Sequence, residues 1–200
     1  KEADGYKWDK VKLSNGVTVI LDPMELETTS IKVSFCTGSR DEKPNEYGLT
    51  HFCEHMLCKG TKKLPNKKAI DDYMDYNGAT RNAGTGQTET ALYGRVLAEN
   101  VNVLVDFFAD ALQNSLFDEK KIEIERNVIC DERRRALDQP GNQFVDFISK
   151  NLFNYTTFST RGIGSEENIR SFTRNQMLEF IGRRKNEKNC IICLSGRLDN

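Results

Sequence analysis

Two hundred residues carry 29 Lys and Arg against 30 Asp and Glu, a formal net charge of -1, so no positive field exists to recruit a nucleic acid or an anionic membrane. That length suits one domain with a substantial core and leaves a second full domain unexpected. No apolar stretch approaches the roughly 20 residues of a membrane span, and no signal-peptide pattern opens the chain, so a soluble protein is expected, with neither membrane nor nucleic acid as partner.

The first segments read as strands: Trp8 to Leu13, a turn at Asn15-Gly16, then Val17 to Leu21, a hairpin signal. A third strand is expected from Ile31 to Thr37. After the polar loop from Gly38 to Tyr47, helical patterning runs from Gly48 to about Lys59, and a second helix is expected over Lys67 to Tyr76, stopped by Asn77-Gly78. Thr80 to Thr85 and Thr88 to Leu97 form a second pair of strands. Helical period returns from Glu99 to Gln113 and from Asp118 to about Asp138, where Gln139-Pro140-Gly141 is expected to end it. Arg133-Arg134-Arg135, the densest basic run, reads as a solvated helix face. The remainder is mostly helical until a last strand at Cys190 to Leu194. Strands followed by runs of helices argue for an α+β fold, helices packed on a largely antiparallel sheet.

Six cysteines, Cys36, Cys53, Cys58, Cys130, Cys190 and Cys193, lack the spacing of a disulfide framework. They read as free thiols in a reducing compartment, the cytoplasm or, alternatively, the mitochondrial matrix. Cys190 and Cys193 form a C-x-x-C pair, but on a strand residues three apart face opposite ways, which argues against a shared redox or metal role.

The only two histidines, His51 and His55, stand four apart with Glu54 beside them. On a helix they project side by side from one face. His51, Glu54, His55 and Cys58 share that face, whereas Leu49, Phe52, Cys53, Met56 and Leu57 crowd the other. An apolar back and an ionisable front suit a zinc site in the inverted order His-x-x-Glu-His; the bland reading is a pair of surface or core histidines. A catalytic zinc takes three protein ligands, so a third is sought. The Asp118 helix offers Ile122, Glu125, Ile129, Glu132 and Ala136 on one stripe, opposite the polar Asn127, Asp131, Arg134 and Asp138. Glutamates on a buried stripe need a positive partner. Pattern alone leaves open whether that partner is zinc or an Arg or Lys.

The runs His51-Phe52-Cys53-Glu54-His55-Met56-Leu57-Cys58-Lys59-Gly60-Thr61 and Glu125-Arg126-Asn127-Val128-Ile129-Cys130-Asp131-Glu132 resemble the M16 (pitrilysin, insulinase and mitochondrial processing peptidase) metalloprotease family. So do Gly38-Ser39-Arg40, Asn82-Ala83-x-Thr85, Asn114-x-Leu116-Phe117, Gly164-Ser165-Glu166-Glu167-Asn168-Ile169 and the closing Ser195-Gly196-Arg197-Leu198-Asp199. The resemblance implies a zinc endopeptidase with Zn2+ held by His51, His55 and Glu132, and with Glu125 supporting from behind. Glu54 would take the proton as water attacks a peptide carbonyl and pass it to the leaving amine. An extended peptide or unfolded polypeptide would add to the strand Thr80 to Thr85, where Asn82, Ala83 and Thr85 are the substrate-binding candidates.

Active members of that family pair two halves, each of two such domains. One N-terminal catalytic domain over 1–200, truncated at its C-terminal end, is therefore expected, together with further M16-type domains in the same chain or in a partner subunit, most simply a dimer. The alternatives are a non-catalytic assembly or peptide-binding subunit of such a complex, or an S-ribosylhomocysteine lyase. The lyase shares the inverted motif and a related fold but takes a cysteine as third ligand, for which Cys130 is the candidate. Cys58, on the ligand face, reads as a small packing residue.

Overall fold

The hairpin predicted at the start forms, and its turn shows why. Gly16 adopts φ +99°, the left-handed region that glycine enters without cost, and the Asn15 side chain accepts the Val17 N–H at 3.2 Å. β1 (Asp9–Lys12) therefore pairs antiparallel with β2 (Thr18–Pro23). The computed structural model describes residues 8–154, 156–159, 161–184 and 186–198; Asp199, the last residue of the closing motif, lies outside them.

Four further strands complete one sheet: β3 (Thr28–Phe35), β4 (Thr80–Thr85), β5 (Thr90–Leu97) and β6 (Cys190–Gly196). β3 starts three residues before the predicted Ile31, because Thr28, Thr29 and Ser30 pair with Leu97, Val96 and Arg95 of β5. The order is β1-β2-β6-β3-β5-β4. β6, the last strand in sequence, inserts between β2 and β3, parallel to the first and antiparallel to the second. The sheet is thus mixed but mostly antiparallel, and β4 is left at an edge.

Among the described residues there are seven α-helices: α1 (Leu49–Leu57), α2 (Lys67–Tyr76), α3 (Val101–Asn114), α4 (Glu119–Leu137), α5 (Pro140–Leu152), α6 (Glu166–Ser171) and α7 (Arg174–Arg184). Six of them bury apolar residues in one core with the inward face of the sheet, whereas α5 buries none. Ile31, Val33, Leu92 and Val96 from the strands join Phe52 and Met56 of α1, Leu104 and Phe107 of α3, and Met177 and Phe180 of α7 in one core. The α+β reading holds.

Two local expectations are refined. Pro140 does stop the helix before it, since α4 ends at Leu137, but it also opens α5 as the first helical residue, where its missing N–H is no loss. Cys190 is buried on the helix side, while Cys193 pairs opposite Lys32 two strands from the edge, so the C-x-x-C thiols face opposite ways as the strand period requires.

Candidate metal centre

α1 owes its position to a buried carboxylate. Glu42, only 5% exposed, accepts the N–H groups of Gly48 at 3.0 Å and Thr50 at 2.7 Å, two of the donors that a helix start leaves without an intrahelical partner. Burial pushes the Glu42 carboxyl up from its ordinary 4.5 to about 7, against the opposing pull of the bonds from Thr50 and Gly48. The folded chain thus keeps a proton that the unfolded chain releases near pH 4.5. Glu42's contribution to stability is full below that pH and is lost as pH rises through about 7, a swing on the order of 3 kcal/mol. Urea unfolding of wild type between pH 5 and 8 should fall with that slope, whereas Glu42→Gln should give a flatter profile; equal slopes would refute the assignment.

Behind α1, Leu49, Phe52, Cys53, Met56 and Leu57 are buried in the core. This fixes the helix rotation and turns the opposite face outward. There the imidazoles of His51 and His55 meet, Nε2 to Nε2, at 3.2 Å. α4 crosses this face. Its cap is Asp118, whose side chain accepts the Lys121 N–H at 3.1 Å, and its stripe behaves as the period predicts: Ile122, Glu125 and Ile129 are buried. Glu132, one turn further on, reaches His51 Nε2 with Oε1 at 3.6 Å and His55 Nε2 with Oε2 at 3.5 Å.

These three donors lie within 4.8 Å of one another. Two nitrogens bound tetrahedrally to one zinc at 2.0–2.1 Å stand roughly 3.3 Å apart, so the spacing fits a zinc ion. The donor chemistry fits as well. Burial, then the charge of His55, holds His51 down at about 4, leaving it neutral with a free lone pair at pH 7.

The two glutamates of the stripe part company: Glu132 lies with the histidines in a group that could hold a metal ion, whereas Glu125 has a lysine partner. Glu125 accepts His55 Nδ1–H at 2.7 Å and pairs with Lys59 Nζ at 2.6 Å. Burial raises a carboxyl, but here the bonds from His55 and Lys59 outweigh it and hold Glu125 low. The Nδ1 bond selects the tautomer that points the Nε2 lone pair of His55 into the site. His55 itself is held above its usual value, because Glu125, Glu54 and Glu132 outweigh the effect of burial. Lys59 had not been singled out from the sequence. It lies two residues past the end of α1, so the helical step from His55 does not announce it.

Glu54 sits beside the pair with Oε2 taking the Thr85 hydroxyl at 3.3 Å. Burial is the chief cause that raises its carboxyl above the ordinary range. Asn82, Ala83 and Thr85 of β4 line the same cleft as the histidines and Glu132. The Asn82 side chain accepts the Ala83 N–H at 2.9 Å, occupying an edge donor that a paired peptide strand would claim. Cys58 also lines the cleft, its thiol pushed up to about 11 by burial. Cys130 is buried in the core and is not among the donors that converge on the histidines, so the lyase ligand set is not assembled.

An α+β domain that brings an inverted His-x-x-Glu-His helix against a glutamate from a later helix defines a candidate metallohydrolase centre. The chain matches the family described as Insulinase (Peptidase family M16) over residues 18–164, and it belongs to that family. It is 34% identical over 190 residues to an uncharacterized zinc protease of Rickettsia bellii, covering 94% of this chain and 46% of the relative. It is also 33% identical over 188 residues to the mitochondrial-processing peptidase subunit beta of Dictyostelium discoideum, covering 94% and 40%. The chain thus spans less than half the length of these relatives. The crystal structure of a protease from Helicobacter pylori has the same fold, with a TM-score of 0.91 at 24% identity over 98% of this chain and 47% of that one.

Proposed function

We propose that this chain is the catalytic domain of a zinc-dependent endopeptidase acting on extended peptides, with His51, His55 and Glu132 as metal ligands. The observation that carries the reading is the convergence of those three donors beside a half-buried Glu54 that is not one of them, in a chain whose relatives include proteins named zinc proteases. Bound there, zinc supplies Lewis acidity, which polarises a peptide carbonyl and makes water a nucleophile at neutral pH.

The remaining work falls to side chains. Glu54, steadied by Thr85, takes a proton from the attacking water and returns it to the departing amine; its raised affinity for a proton suits that exchange. Glu125 and Lys59 keep His55 in its tautomer. The peptide adds alongside β4 once the Asn82 carboxamide leaves the Ala83 N–H, so that backbone bonds hold it while Glu54 faces its carbonyl. Further M16-type domains, in the same chain or in a partner subunit, close over the cleft. α5 supports that part of the reading: it buries none of its residues and leaves Phe144, Phe147 and Leu152 64%, 65% and 70% exposed, a surface suited to a protein partner.

The experiment is zinc stoichiometry joined to hydrolysis of a mixed peptide library, for the full-length protein alone and with its partner. About one zinc per chain, and cleavage abolished by a chelator and restored by zinc, is the expected result. A metal-replete protein that cleaves nothing under either condition would instead identify a peptide-binding subunit.

A further inference from the structure

Of the two helices that carry the donors, α1 has buried residues along its whole length, but α4 has them only as far as Cys130. In α4 the buried residues are Ile122, Glu125, Arg126, Ile129 and Cys130, and none follows Cys130. Glu132 therefore lies beyond the part of the helix that the core grips, with a side chain 42% exposed. Something else must hold that end of α4 in register with the histidines.

A backbone contact between the start of α1 and the segment before α6 lies beside that end of α4. Gly48, at the start of α1, has φ +98°, and Gly164, before α6, has φ +77°. The two are stacked backbone to backbone: a Cβ on Gly48 would come within 2.9 Å of Gly164 Cα and 2.5 Å of the Ile163 carbonyl oxygen, and one on Gly164 within 2.8 Å of Gly48 Cα. Only glycine permits both the approach and the conformation. Asn168 of α6 ties the same junction by donating to the Tyr47 carbonyl at 3.1 Å. From α4, Arg133 Nε donates to the Gly164 carbonyl at 2.9 Å, and Arg133 is the residue next to Glu132. Arg134 also reaches α6, through Glu166 at 2.9 Å, but that pair is exposed and correspondingly weak.

We propose that the Gly48–Gly164 contact is the joint that sets the two-histidine helix against the glutamate helix, and that Arg133 is a positioning residue for metal binding, acting through the Gly164 carbonyl. Glu42 anchors the α1 side of the joint and Arg133 the α4 side. The inference rests on the metal reading given above and adds to it a residue that touches no donor atom.

The test is zinc affinity, measured by competition with a chromophoric chelator in the full-length protein, alongside the visible absorption of the cobalt(II)-substituted protein and the melting temperature of the metal-free form. Arg133→Leu should bind zinc about 10-fold or more weakly, in the range known for loss of an outer partner, with a weakened and shifted cobalt spectrum but nearly unchanged melting of the metal-free protein. Arg133→Lys, which can still donate to the carbonyl, should recover most of the affinity. Should Arg133→Leu fail to fold, Asn168→Leu loosens the same joint from α6 and should show the same weaker binding. Affinity within twofold of wild type in the leucine variants, or a loss that lysine does not repair, overturns the proposal while leaving the metal site standing. A wild type that binds no zinc overturns both.

Discussion

Glu54→Gln is expected to retain about one zinc per chain and to lose peptide hydrolysis by about 10²–10⁴-fold, the usual contribution of a general acid–base group. The two outcomes separate because Glu54 lies outside the cluster formed by His51, His55 and Glu132. Glutamine keeps the size of the side chain and can still accept the Thr85 hydroxyl that Oε2 takes at 3.3 Å, so the cleft keeps its shape. What disappears is a carboxylate able to carry a proton, in a setting where burial already favours the protonated form. The measurement is single-turnover cleavage of a library-derived peptide beside metal analysis of the same preparation. Hydrolysis that survives the substitution would sink the role of Glu54, and zinc lost with it would make Glu54 a ligand instead.

Glu132→Ala should have the larger effect on the metal. Removing one of three donors leaves two imidazoles, and zinc affinity should fall by more than the about 10–100-fold typical of an outer partner. Hydrolysis should fall with it at sub-saturating zinc. Cys130→Ala is the companion variant: its thiol is buried within the α4 packing and away from the donors, so zinc should stay bound. The reverse pattern, metal kept without Glu132 and lost without Cys130, would reinstate the lyase ligand set and remove the peptidase reading. Glu132 is half exposed and lies beyond the gripped part of α4, so its truncation leaves no core cavity to confuse loss of metal with loss of fold.

Local pattern revealed the halves of this site because their chemistry is periodic. His51 and His55 declare themselves by a four-residue step against an apolar back, and the structure buries that back as the step demands. The stripe from Ile122 to Glu132 is likewise a consequence of helical period, and its first three members are buried. The resemblance in the two motifs then joined the halves. Lys59, Glu42 and Arg133 remained hidden, for a different reason: each acts on a backbone carbonyl, a backbone N–H or another carboxylate distant in sequence, and no spacing rule announces such a partner.

Composition, helix period and turn chemistry were enough to indicate an α+β chain with a two-histidine helix, a later glutamate helix and an ordinary strand near Asn82, since each of those features depends on neighbours within a turn or two; that this strand lies at an edge was decided by the sheet order. The insertion of β6 between β2 and β3, the assignment of Glu125 to Lys59 and of Glu132 to the histidines, and the glycine joint beneath them came only with the folded chain. Long-range pairing is chosen by how whole faces pack and by which buried charges find partners, and those energies depend on residues that meet in space without being neighbours along the backbone.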